Sequence, residues 1–248
     1  MTDQVNDNLF LVCGFPASGK STSLRNLENV IYLNCEPGRK LPFRPKKFKQ
    51  FVITDPYQVH EAFEWAETQP DYHTIVVDGL NFLMDMFETN YIIGASDTRA
   101  EWSNYAQFFK KLMQTYVAAS TKNVIFTAHL KSEYNENTML METKVPVKGS
   151  LANQGLEAYF STILYTKKVK LTELEKQGQS SMLLNITDEE RALGYKHVFQ
   201  TKVTADTTHE RMRGPMGLWD NNELFIDNDC AFVLERLREY YGEDDLAA

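Results

Sequence analysis

The chain has 248 residues, is 43% hydrophobic and carries a formal net charge of −8. That length and apolar content suit one large α/β domain with a full core. No run approaches the ~20 apolar residues of a membrane span, and the acidic balance excludes a protein that coats DNA through its overall charge.

The polar, acidic start Met1-Thr2-Asp3-Gln4 argues against a signal peptide. Cys13, Cys35 and Cys230 are an odd number, and two sit in strand-like runs, which fits buried thiols in a reducing cytoplasm. No Cys/His spacing suggests zinc. Leu9 to Cys13 is an apolar run that reads as a buried strand. Gly14-Phe15-Pro16-Ala17-Ser18-Gly19-Lys20-Ser21-Thr22 follows and reads as a phosphate-binding loop. Its glycines let the backbone wrap so that successive N–H groups point at phosphate oxygens. Lys20 is placed to reach the β- and γ-phosphates of ATP, and the Ser21 hydroxyl to ligate Mg²⁺. Ser21 to Leu27 reads as the start of a helix whose N-terminus adds positive potential.

Val30 to Leu33 is a second short strand with Glu36 just past its end, the edge where open α/β sheets bind ligands. Pro37 to Thr54 carries Arg39, Lys40, Arg44, Lys46, Lys47 and Lys49 and no acid. It reads as a solvated loop or as a contact for a polyanion or a neighbouring subunit. Gln50 to Ile53 is strand-like, and Pro56 to Thr68 is helical in its spacing of Val59, Ala62, Phe63 and Ala66. Thr74-Ile75-Val76-Val77-Asp78 is a buried strand closed by an acid, the pattern that holds Mg²⁺ through water in phosphate-loop proteins. Arg99 to Ser120 is the longest helical pattern; its face of Trp102, Tyr105, Phe109, Leu112, Met113 and Tyr116 reads as core. Val124 to Ala128 is another strand and ends at His129, which is either a γ-phosphate contact or an ordinary strand-end residue.

Lys131 to Ser150 is polar, contains Lys131, Lys144 and Lys148, and reads as a long functional or mobile loop. Tyr159 to Tyr165 is a strand followed by Lys167, Lys168 and Lys170; Met182 to Ile186 and His197 to Val203 are two more, read as antiparallel; Thr187 to Gly194 between them is loop-like. Thr204 to Gly217 holds Arg211 and Arg213. An amphipathic helix from about Asp229 to Tyr241 precedes the acidic stretch Gly242-Glu243-Asp244-Asp245, which reads as a frayed tail. With no repeat and no linker, residues 1–248 read as a single domain, with a core over about 8–170 and a C-terminal extension over about 180–241.

The pieces GFPASGKST, YLNCE, TIVVDGLNFL, NVIFTAHLKSE and HVFQTKVTADTTHERMRG, in that order, resemble the RecA-like ATPase core. More closely, the chain resembles short phage-encoded RecA-like P-loop ATPases of the single-strand annealing and recombination type, AAA-like nucleotide-binding proteins. The resemblance implies an α/β fold with a mostly parallel central sheet flanked by helices and a C-terminal antiparallel extension. By the same resemblance, Glu36 is the catalytic glutamate that polarises water. His129 senses the γ-phosphate, where RecA itself has an amide side chain, and the loop after His129 contacts DNA. Lys202, Arg211 and Arg213 resemble late basic residues that reach a neighbour's ATP, although each also reads as an ordinary surface cation. Lys202 and Arg211 are the preferred pair.

The expected function is therefore a Mg²⁺-dependent ATPase of the (host) cytoplasm, with no membrane partner. It assembles as a homo-oligomer, ring or filament, on single-stranded DNA, and the resemblance alone implies a single-strand-binding protein as a partner. A P-loop nucleotide or polynucleotide kinase is the rival enzyme class, although no Arg-rich lid or acceptor-binding acid follows the loop. An ATP-gated DNA-binding scaffold with little hydrolysis is the non-enzymatic rival.

Overall fold

The computed structural model describes residues 5–36, 38–136, 139–176 and 182–242. Pro37 and Glu243 to Asp245, which figured in the basic stretch and the acidic tail, lie outside them. The strands are β1 (Leu9–Gly14), β2 (Glu28–Asn34), β3 (Lys46–Val52), β4 (Thr74–Asp78), β5 (Asn123–His129), β6 (Lys131–Asn135), β7 (Leu140–Lys144), β8 (Thr162–Lys170), β9 (Tyr195–Gln200) and β10 (Phe225–Asp227). The helices are α1 (Gln58–Glu67), α2 (Leu80–Phe87), α3 (Thr98–Lys111), α4 (Leu151–Gln154), α5 (Leu171–Lys176), α6 (Asp188–Leu193) and α7 (Cys230–Gly242).

Eight strands form one sheet in the order β10-β9-β8-β1-β5-β4-β2-β3. From β8 to β3 neighbours run parallel, and β9 and β10 add antiparallel at the other side. The apolar runs of β1, β4 and β5 are continuous because both faces of the sheet are covered. Side chains alternate between two cores. Leu11, Cys13, Ile75, Val77, Val124 and Phe126 pack on the side of α1, α2 and α3. Phe10, Val12, Val76 and Ile125 pack on the side of Leu24, Leu27 and α7. All three cysteines are buried and free, and among the described residues no helix is long and apolar enough to cross a membrane.

Several elements differ from the sequence reading. The helix expected over Ser21–Leu27 is one 3-10 turn, Ser21–Leu24. Leu24 and Leu27 are drawn into the α7-side core, so the chain turns early to enter β2. The long loop after His129 contains the antiparallel hairpin β6–β7. β8 starts at Thr162, later than expected, and runs on through Lys170, because β9 replaces β1 as its partner from Tyr165 onward. That change of partner lets strand residues carry lysines. Met182–Ile186 is not a strand; it runs beside β10, with Asp227 N bonded to Leu183 O (2.7 Å) and Asn185 N to Asp227 Oδ1 (3.0 Å). The three-residue β10 takes the expected antiparallel place. Thr187–Gly194 is not a loop but α6, opened by a capping box between Thr187 and Glu190 and closed by Gly194 in the left-handed region. The Arg99–Ser120 pattern is α3 continued by a wider π-type turn over Leu112–Val117.

One buried polar residue ties core packing to pH. His60 of α1 is sandwiched between Phe108 and Tyr116, with ring centroids 4.8 and 4.4 Å away. Its Nε2 has no hydrogen-bond partner. Burial first, and then the nearby Lys111, push its pKa down from 6.5 to about 4. The neutral ring is thus the folded form, and the unfolded chain takes up the proton first. Stability is fully present above pH 6.5 and is lost as pH falls from 6.5 towards 4, with a slope of at most ~1.4 kcal/mol per pH unit. His60→Phe keeps the stacking and removes the proton site, so its melting temperature should fall less between pH 7 and pH 4.5. Calorimetric scans that give both proteins the same pH dependence would refute this.

Candidate nucleotide site

The C-terminal ends of β1, β2, β4 and β5 converge on one cleft of about 240 Å³. Gly19, Lys20, Ser21, Thr22, Tyr32, Glu36, Arg39, Asp78, His129 and His197 are in its wall. The parallel sheet sets this geometry: β5 lies between β1 and β4, so His129 sits in register with Gly14 on one side and two residues beyond the level of Asp78, which pairs with Thr127, on the other.

The loop over residues 14–22 is held from behind by β8, β9 and the segment that precedes α7. Thr166 Oγ1 (2.7 Å) and His197 Nδ1 (2.7 Å) both donate to Ser18 O, and Asn228 Nδ2 donates to Gly19 O (2.9 Å). These bonds turn the loop carbonyls towards β8, β9 and the α7 approach. Two glycines are needed for that close fit. A Cβ on Gly14 would meet Thr166 Cγ2 at 2.5 Å. One on Gly19, at φ +109°, would meet Asn228 Nδ2 at 2.6 Å. Ala17 takes a positive φ of 60° without being glycine, Phe15 is half exposed, and Ser18 Oγ is buried without a partner. Pro16 precedes the turn and Thr22 reaches the cleft wall.

Lys20 is only 7% exposed and uses all three ammonium protons at once. It donates to Gly14 O (2.9 Å) and Phe15 O (3.0 Å), and the third contact is to His129 Nδ1 (3.3 Å). His129 Nδ1 is thereby the acceptor, and Nε2–H donates to Glu36 Oε1 (3.1 Å). The other oxygen of Glu36 takes Arg39 Nη1 at 2.5 Å. Burial pushes the Lys20 pKa down to about 8 against the pull of Glu36 and Asp78. The bonds from His129 and then Arg39 hold the Glu36 carboxyl below its usual range in spite of burial, so it is ionised at neutral pH. A carboxylate with a lowered pKa is a weak proton acceptor, so the arrangement suits Glu36 to orienting a water more than to taking its proton.

Asp78, buried at the end of β4, accepts from three hydroxyls. Thr127 bonds Oδ1, while Tyr32 (2.6 Å) and Ser21 (3.2 Å) bond Oδ2. Among the described residues there is no cluster of three or more His, Cys, Asp or Glu that could hold a metal. A Mg²⁺ that keeps most of its waters needs only one or two protein oxygens plus phosphates. The direct contact of Ser21 Oγ with Asp78 shows that the two can share one ion's coordination sphere, so the residues present fit. Tyr32 positions Asp78 from outside that sphere. Tyr32→Phe should raise the Mg²⁺ concentration needed for half-maximal nucleotide binding about tenfold and leave affinity at saturating Mg²⁺ unchanged. A Mg²⁺ titration that superposes on the parent's would refute this.

The late basic residues lie off the cleft wall. Lys202 Nζ donates to Asp220 O (2.8 Å). Arg211 faces Glu157 at 3.6 Å and Glu142 at 3.8 Å, and Glu157 is 1% exposed, so Arg211 compensates a buried carboxylate. Arg213 is exposed, and its backbone bridges to Ile163. Of the three, Arg213 is the one whose side chain has no bond or ion pair among the described residues. Sequence reasoning missed Tyr32, Arg39, Thr127, Thr166, His197 and Asn228. Thr127 is a polar break in an apolar strand and could have been flagged. Thr166, His197 and Asn228 are 148, 179 and 209 residues from their partners in the loop, and nothing local marks them.

A family model described as an AAA domain matches residues 7–202. No curated protein matches the chain.

Proposed function

The chain belongs to the AAA domain family, and from that premise we propose that it hydrolyses ATP while assembled on single-stranded DNA and promotes annealing or strand exchange, as a phage-type recombination protein. The observation that carries the hydrolytic part is Glu36. It is an ionised, 5% exposed carboxylate on the wall of the phosphate-loop cleft, bonded through His129 to Lys20. The DNA part rests on the order of the sequence motifs.

In this reading the loop over residues 14–22 offers its N–H groups to the phosphates of ATP, and Lys20 leaves the Gly14 and Phe15 carbonyls to meet them. Ser21 and Asp78 would hold Mg²⁺, and the ion when bound would supply positive charge that offsets the charge of the phosphates. Glu36 and His129 accept and orient the attacking water. Moving Lys20 releases His129 Nδ1, so nucleotide at the loop is felt at Glu36 through one imidazole. The cations in this chain's cleft wall are Lys20, Arg39 and Lys40, and Arg39 is engaged by Glu36. A neighbour's Lys202, Arg211 or Arg213 completes the charge on the γ-phosphate, with Arg213 the freest of them.

The test is the steady-state ATPase rate at low salt over a protein concentration series, with and without single-stranded DNA. The reading expects slow hydrolysis by the dilute protein, stimulation by DNA, and a rate that rises more than linearly with concentration. A rate indifferent to both would refute assembly on DNA.

A further inference from the structure

The hairpin β6–β7 is anchored at its base, and the described residues of its tip, Tyr134, Glu136, Met139, Leu140 and Met141, are exposed. Thr143 is buried and bonds His209 O through its backbone N–H (2.9 Å). Further out, Tyr134, Met139, Leu140 and Met141 are 53, 69, 64 and 46% exposed. Four large apolar side chains on one projecting element mark a contact surface. The charge of the hairpin argues against nucleic acid as its partner. Lys131 pairs with Glu133 (2.5 Å), and Lys144 lies 3.9 Å from Glu133 and 3.7 Å from Glu142. Glu136 is exposed near the tip, so three carboxylates stand against two lysines.

A complementary surface lies elsewhere on the same chain. Among the described residues β3 is the end strand of the sheet and pairs with β2 alone. Between it and α1 runs a groove of about 430 Å³, lined by Phe51, Val52, Ile53, Ala62 and Trp65, with Lys49 on its β3 side and Gln58 and Glu61 on its α1 side. Val52 is 65% exposed, and Lys46, 3.8 Å from Glu28, and Lys47 are exposed on the same strand. An apolar, acidic-sided tip on one part of the chain matches an apolar groove with a basic strand edge on another. Used head to tail, without the reciprocal pairing that would close a two-fold dimer, the match yields a ring or a filament.

We infer that the β6–β7 tip of one copy docks in the β3–α1 groove of the next copy, with Glu136 facing the Lys46–Lys49 edge. The inference rests on the assembly part of the proposed function. It also gives assembly a route to the nucleotide, because β3 pairs along β2, whose end carries Glu36.

Sedimentation velocity of the full chain with Mg²⁺-ATP and an oligo-dT strand tests it. The parent protein should form species larger than a dimer. Met139→Asp/Leu140→Asp removes the tip and Val52→Asp blocks the groove; each should weaken self-association at least tenfold and sediment as a monomer. An equimolar mixture keeps one intact tip and one intact groove, so it should form a 1:1 dimer and stop there. Should Val52→Asp fail to fold by circular dichroism, Lys49→Glu should weaken assembly and Glu136→Lys in the same chain should restore it. Parent-like assemblies in either defective variant, a mixture that stays monomeric, or a parent that never self-associates would each overturn the inference. So would weakened oligo-dT binding with unchanged assembly, which would make the tip a nucleic-acid contact. If the end-blocked dimer forms but DNA does not stimulate hydrolysis, the docking stands and the recombination reading fails.

Discussion

Lys20→Ala should weaken Mg²⁺-ATP binding by about two to four orders of magnitude and leave the melting temperature nearly unchanged. A lysine on phosphate makes charge-assisted bonds of roughly 1.5–3 kcal/mol each, and two of them amount to about 3–6 kcal/mol. The stability half of the expectation comes from the burial of Lys20. Burial lowers its pKa to about 8, so folding works against the charged form, and alanine removes that penalty. Gly14 O, Phe15 O and His129 Nδ1 lose a donor, but the two carbonyls keep the backbone N–H groups of Leu130 and Ser18 (both 3.2 Å), and His129 is on the wall of the cleft. Calorimetric titration reads the affinity directly. A dissociation constant within tenfold of the parent's would mean that the loop does not bind phosphate through this side chain.

Glu36→Gln should lower kcat by about 10²–10⁴ with ATP affinity unchanged. The amide keeps the size of the side chain and one acceptor oxygen for His129. It loses the negative charge that Arg39 and a polarised water respond to. The substitution therefore separates an orienting carboxylate from a strand-end acid. Unchanged, already slow turnover in this variant would favour a nucleotide-gated scaffold over an ATPase. A large loss of affinity instead would mean that Glu36 holds the loop in shape.

Much of the framework was legible because the residues that carry it are local. The phosphate loop and the acid closing β4 are contiguous with the apolar runs that bury them, and a strand buried on both faces announces itself. The strand ends that gather Glu36, Asp78 and His129 followed from the parallel arrangement implied by the motif order. What escaped depended on distance or on small energies. The helix expected after the loop stops at Leu24, since packing of Leu24 and Leu27 on the α7 side outweighs helix propensity there. β10 is three residues long, too short for any period to show. The hairpin after His129 was hidden because its two strands are five residues each and mix polar and apolar residues with no buried apolar face to give a period. The supports of the phosphate loop, Thr166, His197 and Asn228, sit on elements far away in sequence, so only the folded sheet brings them to Ser18 and Gly19. Arg211, preferred from sequence as a reach-across residue, faces the buried Glu157 instead of standing free.

The most direct test of the hydrolytic account is the fate of the γ-phosphoryl group in ¹⁸O-water under single-turnover conditions with single-stranded DNA. A water oriented at Glu36 predicts inorganic phosphate that carries one solvent oxygen, formed without any added acceptor and lost in Glu36→Gln. Release of the γ-phosphoryl only when a nucleoside or polynucleotide hydroxyl is supplied, with no solvent oxygen in the product, would contradict the account and make the cleft that of a kinase.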